Sequence, residues 1–221
     1  AWGKCLNAGQ TCIAPDYLLI HSSLKEEFVE EYRKALLALY GEDVSQSRHY
    51  GRMVSAKAYE RVSGYLACGR VLVGGECKPE ERYIEPTLLE VTSPDVAVMQ
   101  EEIFGPVLPL MTFEQVDEAV EFIASRPHPL ALYFFGPRKQ GEELLRHTLS
   151  GGACINDTIM HIVNGHAPFG GVGHSGMGRY HGKESFLAFS HQRTVVTTPT
   201  LIDLPLRYMP YKLFGLIKRL L

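Results

Sequence analysis

Tyr17-Leu18-Leu19-Ile20-His21-Ser22-Ser23-Leu24-Lys25-Glu26-Glu27-Phe28-Val29 is a short apolar run followed at once by an amphipathic pattern. Pro15-Asp16 and Ser22-Ser23 bound the run, which predicts a buried strand over Tyr17–Ile20. A helix is expected next: Ser22 or Ser23 can cap it, and Glu26 and Glu27 suit its positive first turn. Leu24, Phe28, Val29, Tyr32, Leu36 and Leu39 then recur at helical spacing. Working outward, the same unit repeats. Ser55–Ala67 reads as helix and Val71–Val73 as strand, and Val107–Met111 as strand ahead of a helix over Glu114–Ala124. Leu130–Phe135 and Ala153–Ile155 read as strands on either side of a helix over Lys139–Leu149. Tyr83–Val91 is expected to be an excursion of loop and strand, because Glu85-Pro86-Thr87 breaks any helix. Ala1–Asn7 reads as helix already under way with no capping residue ahead of it, so the sequence is expected to start inside a longer chain. This alternation predicts an α/β fold built on a parallel sheet with flanking helices.

A chain of 221 residues makes one large domain or a domain with an appendage. Its 45% hydrophobic and 21% charged residues exclude disordered, collagenous and coiled-coil classes. With 22 basic against 25 acidic side chains and no basic stripe, nucleic acid is not an expected partner. The cysteines are Cys5, Cys12, Cys68, Cys77 and Cys154, an odd number without a C-x-x-C pair. Neither a disulfide framework nor a zinc knuckle is indicated, and a reducing, cytoplasmic setting is expected. The apolar run Leu130–Phe135 falls far short of the ~20 residues of a membrane helix, and the opening residues are not expected to act as a charged-then-apolar leader.

Three segments carry chemistry. Asn7-Ala8-Gly9-Gln10-Thr11-Cys12 puts a thiol directly after a helix, where Pro15 prevents continuation. Cys12 is either a nucleophile whose anion is locally stabilised or a small buried hydrophobe; the spacing leaves both open. In Gln100-Glu101-Glu102-Ile103-Phe104-Gly105-Pro106, Glu102 can accept hydrogen bonds from sugar hydroxyls while Phe104 packs on a flat ring, or the segment is a solvated turn. Pro168–Gly182 is a long glycine-rich loop in which Gly171, Gly173 and Gly176 match G-x-G-x-x-G, a weak signal because no strand leads into it. His161, His166, His174 and His181 show no ligand spacing, so no metal is expected.

In order and separation these segments resemble the aldehyde dehydrogenase superfamily. Its G-Q-x-C stands as Gly9–Cys12, its E-x-F-G-P as Glu102–Pro106, and its P-F-G-G-x-x-x-S-G as Pro168–Gly176. The 90 positions from Cys12 to Glu102 match the class 3 branch. So do Ala14-Pro15-Asp16-Tyr17, Pro129–Tyr133, Asn156-Asp157 and Ser175–Lys183, and the likeness covers essentially the whole chain. The resemblance implies oxidation of an aldehyde to a carboxylic acid with NAD or NADP. Cys12 would attack the carbonyl carbon to give a thiohemiacetal, then a thioester that water hydrolyses, the oxyanion resting on the Cys12 N–H and on an amide from elsewhere. Glu102 and Phe104 would bind the nicotinamide riboside, and Trp2, Ile162, Val163, Phe169 and Tyr180 match the positions of an apolar aldehyde pocket. Residues 1–192 would form the catalytic domain and 193–221 a strand and tail for homodimerisation, with Thr194–Thr198 part of that strand.

Members of the family are about twice this long. The N-terminal Rossmann half, with its oxyanion-hole Asn and the general-base Glu of E-L-G-G-K, is missing here, and Gly74-Gly75-Glu76 lacks the preceding Glu-Leu. This stretch by itself is therefore expected not to turn over. Two alternatives stand beside this reading. One is a nicotinamide-independent cysteine acyltransferase or hydrolase, in which His161 with Asn156 or Asp157 serves Cys12. The other is a non-catalytic dimerisation module with Cys12 buried. The basic tail Arg207–Leu221 spaces Leu213, Leu216, Ile217 and Leu220 as a helix; packing on its own dimer is preferred to peripheral membrane contact, because Gly215 weakens it.

Overall fold

The first strand and its helix form where the sequence placed them. The computed structural model describes residues 1–203, 208–210, 215, 218 and 219. After α1 (Trp2–Cys5) come β1 (Leu18–His21) and α2 (Lys25–Tyr40), then α3 (Ala56–Gly64) and β2 (Arg70–Val73). A two-residue pair follows, β3 (Cys77–Lys78) and β4 (Tyr83–Ile84), leading to β5 (Thr87–Glu90) and β6 (Val107–Phe113). The remaining elements are α4 (Val116–Ala124), β7 (Ala131–Phe134), α5 (Arg138–His147), β8 (Gly152–Ile155) and α6 (Gly182–Ala188). Neither serine caps α2. Ser22–Leu24 is a tight 3-10 turn inside the bend, and His21 Nδ1 accepts the Ser23 N–H.

The main sheet runs β1-β6-β5-β2, with β1, β6 and β5 parallel and β2 antiparallel to β5. The expected parallel sheet with flanking helices forms, with one antiparallel strand at this edge. Residues 91–106 make a crossover long enough to bring β6 parallel to β5, whereas β2 reaches β5 through the β3-β4 hairpin with no crossover helix. The strand part of the expected loop-and-strand excursion is β5, which lies inside the sheet, with Thr87, Leu88 and Leu89 fully buried. Leu88, Leu108 and Leu110 face Val29, Tyr32 and Leu36 of α2, while Leu89 and Val107 face Tyr59 and Val62 of α3. The period-2 alternation of the strands thus sends neighbouring side chains into two cores, each covered by a helix. β7 and β8 form a separate parallel pair.

Contacts divide the chain into a compact unit, Ala1–Ala188, and a second unit from Phe189 on. In the second, residues 189–203 contain no helix or strand, and Val195 and Val196 are exposed. The strand expected over Thr194–Thr198 is therefore not formed: β-branched residues make a strand only against a pairing partner, and these have none among the described residues. The helix expected over Arg207–Leu221 lies largely outside the described residues, including Lys212, Leu213, Leu216, Ile217 and Leu220. Among the described residues no helix is long and apolar enough to cross a membrane.

Candidate active site

The opening helix ends earlier than its sequence suggests because Asn7 and Ala8 take left-handed φ of 51° and 53°. That reversal swings Gly9–Cys12 outward, and Gln10 holds the new path. Its Nε2 donates to the carbonyls of Asn7 and Arg52, both at 3.0 Å, and its Oε1 accepts the Val54 N–H at 2.9 Å. A buried amide with both ends used is a rigid tether. Cys12 follows in a turn closed by Ala14 N–H on the Thr11 carbonyl at 3.1 Å. Its thiol is exposed, and its backbone N–H has no acceptor among the described residues. An unused N–H beside an exposed sulfur is the arrangement an oxyanion needs.

Gly9 joins this turn to the second motif. At φ 73° a Cβ there would stand 2.2 Å from the Gly105 carbonyl oxygen, so only glycine lets the two backbones touch. Two long-range contacts hold the Glu102–Phe104 turn. Asp16 accepts the Ile103 N–H at 3.0 Å, and Arg61 of α3 donates to the carbonyls of Glu102 at 3.1 Å and Ile103 at 2.7 Å. With its backbone taken up and Ile103 driven into the core, the turn leaves the Glu102 carboxylate and the Phe104 ring exposed. Phe104 sits at φ 48°, a conformation that costs a non-glycine residue energy and is characteristic of sites where a side chain must be aimed.

The electrostatics couple the two turns. Burial pushes the Lys4 ammonium down to about 8, opposed chiefly by the negative charge of Asp16, and its Nζ is buried with no hydrogen-bond partner among the described residues. Burial raises the Asp16 carboxyl, opposed by Lys4, the Ile103 N–H and Arg61. Partial burial likewise raises Glu102, Asp16 adding to the shift and Arg61 and Lys4 pulling against it.

The glycine-rich loop supplies the floor. Phe169 is buried in one cluster with Ile13 and Ile159, on which Ile162 packs. Tyr180 pairs with Phe169 through two backbone hydrogen bonds of 2.9 Å. A Cβ on Gly171 would stand 2.2 Å from the Ser175 carbonyl oxygen, so the loop folds onto itself rather than cradling a phosphate. Of the five expected pocket residues, Trp2, Val163 and Tyr180 are exposed, Ile162 is half-buried, and Phe169 is buried, in contact with Ile162 and Tyr180. A surface cavity of about 350 Å³, lined by Ile123, His128, Arg146 and His147 among others, contains none of them. Among the described residues no three His, Cys, Asp or Glu side chains gather as a metal site.

The contacts do not favour the alternative readings. The ring of His161 lies against the Cys154 thiol at 3.5 Å, the Asn156 amide is spent on both backbone groups of Gly136, and the Asp157 carboxylate accepts the Thr158 N–H at 2.7 Å. A module with Cys12 buried does not fit an exposed thiol.

Residues 1–195 match the aldehyde dehydrogenase family. The chain belongs to that family. Aldehyde dehydrogenase family 3 comG of Dictyostelium discoideum is 48% identical over 97% of this chain and 46% of its own length. The dimeric NADP-preferring aldehyde dehydrogenase of Bos taurus is 47% identical over 91% of this chain and 84% of its own. The solved substrate-bound state of Staphylococcus aureus AldH superposes with a TM-score of 0.89 at 45% identity, covering 99% of this chain and 49% of that one. The chain therefore spans about half the length of the Dictyostelium and Staphylococcus proteins. In this aldehyde dehydrogenase domain of the family 3 kind, Asp16, Lys4 and Arg61 support the site from outside its three motifs; Asp16 falls within the branch-type segment Ala14–Tyr17, whereas Lys4 and Arg61 have no local sequence signal beyond their charge.

Proposed function

We propose that the protein to which this chain belongs oxidises aldehydes to carboxylic acids with NAD or NADP, using Cys12 as nucleophile. The observation that carries the reading is the backbone contact of Gly9 with Gly105, which puts the exposed Cys12 turn against the Glu102–Phe104 turn. The Cys12 thiolate adds to the carbonyl carbon, and the oxyanion of the thiohemiacetal forms within reach of the Cys12 N–H, which has no acceptor among the described residues. The residues fit a nicotinamide riboside: Glu102 offers a carboxylate for ribose hydroxyls, and Phe104 an exposed ring face for a flat heterocycle. When bound, that group supplies the hydride acceptor. Arg61 and Asp16 keep the clamp from moving by holding its backbone, which leaves its side chains to the ligand. The NADP-preferring bovine relative supports the cofactor class, and its description as dimeric supports a homodimer.

Residues 1–192 are proposed as the catalytic portion and 193–221 as the oligomerisation segment, with Trp2, Ile162, Val163, Phe169 and Tyr180 shaping the aldehyde pocket. A cytoplasmic location is proposed on the strength of five free cysteines. Incubating the full-length protein with aliphatic and aromatic aldehydes and either dinucleotide tests the reading through the rise in reduced-nicotinamide absorbance. No rise with any pairing would refute it.

A further inference from the structure

We propose that Tyr133 is a positioning residue for the nucleophile, holding the Cys12 turn from the β7-β8 sheet. The Tyr133 hydroxyl donates to the carbonyl of Ile13, the residue after Cys12, at 2.7 Å across a sequence separation of 120. The Ile13 side chain is 4% exposed and packs with Ile159 and Phe169. Ile13 is therefore fixed at two points, side chain and carbonyl. The turn spans only Thr11–Ala14, so fixing Ile13 leaves Cys12 little rotational freedom and directs its N–H. The platform behind the phenol is continuous. Tyr133 stands in register with Cys154 of β8, and its ring lies 5.9 Å from that of His161, which in turn lies 5.8 Å from Phe169. Burial raises the Tyr133 phenol, the Ile159 backbone N–H pulling the other way and the neighbouring Cys154 and Cys12 adding to the effect of burial, so the phenol stays a donor.

The inference rests on the reading of Cys12 as an acyl-forming nucleophile, and the test separates the two. In the full-length protein, Tyr133→Phe keeps the ring and deletes the donor. Four quantities are compared with wild type: kcat for aldehyde oxidation, the acylation rate with p-nitrophenyl acetate, dinucleotide Kd, and Cys12 alkylation by iodoacetamide. The first two pass through an oxyanion; alkylation does not. The expected result is a loss of about tenfold in oxidation and acylation, with Kd and alkylation within about twofold. Oxidation and acylation within about twofold of wild type would overturn it. Loss of all four together with the circular dichroism spectrum would also overturn it, marking the phenol as a fold element only. A wild type that acylates from the ester but oxidises no aldehyde would refute the dehydrogenase reading while the acylation ratio still decides Tyr133. A wild type that does neither would overturn both.

Discussion

Cys5 and Cys12 sit on one short stretch of chain and meet opposite environments. Cys5 is 2% exposed, packed in the core that contains Tyr32, and burial pushes its thiol up to about 11. Cys12 is exposed on a turn, and its own N–H has no acceptor among the described residues. Between them lie the left-handed pair Asn7-Ala8 and the contact glycine Gly9, which carry the chain out of the core and against the second motif. Side-chain chemistry is the same at both positions; backbone path makes one an inert core residue and the other a candidate nucleophile.

The sharpest way to break the comparison is to remove each thiol in the full-length enzyme. Cys12→Ala should lower aldehyde oxidation by about a thousandfold or more with dinucleotide affinity kept. Cys5→Ala should leave kcat within about threefold and cost about 1–2 kcal/mol of stability by denaturant unfolding, as a small core truncation does. Comparable losses of activity from the two would erase the distinction.

A second way is to block the exit path. Gly9→Ala drives a methyl into the Gly105 carbonyl in a left-handed conformation, so the two turns must separate. A loss of about 3 kcal/mol in unfolding free energy, or a folded protein with weakened dinucleotide binding, is expected. A variant indistinguishable from wild type would show that the contact is dispensable.

The buried side of the comparison has its own titration. Lys4 ionises at about 8 in the fold against 10.5 unfolded. Below pH 8 both states hold the proton and folding bears the full cost, about 3–4 kcal/mol at ~1.4 kcal/mol per unit, with the attraction to Asp16 already included. Between 8 and 10.5 the unfolded chain holds more protons, so this contribution to stability improves as pH rises. Lys4→Met should thus stabilise at pH 7 and progressively less toward pH 10, read by urea unfolding at several pH values. A pH-independent difference would mean that the ammonium is not desolvated.

The smallest effect sharpens the exposed side. Glu102→Gln keeps the turn, because Arg61 and Asp16 hold it by hydrogen bonds to its backbone, but weakens a charge-assisted contact to ribose. Hydride transfer should slow by about tenfold with unchanged thermal stability, measured by single-turnover absorbance. An unchanged rate would leave Glu102 a solvated turn residue.

Much of this was legible in the amino-acid order. The alternation of strand and helix around Leu18–Tyr40 follows from apolar spacing, and the three motifs were recognisable by their residues and separations, because both are local properties. Tertiary structure decided the rest. Thr87–Glu90 is buried on both faces, so it shows no alternation to mark it as a central strand, and its antiparallel neighbour β2 depends on which edge the hairpin returns to. Val195 and Val196 have strand propensity, yet a ladder needs a second backbone to pair with. The aim of the thiol, the unpaired Lys4 ammonium and the tether from Tyr133 to Ile13 are all consequences of segments 40 to 120 positions apart coming into contact, and no local pattern encodes which distant group a side chain will meet.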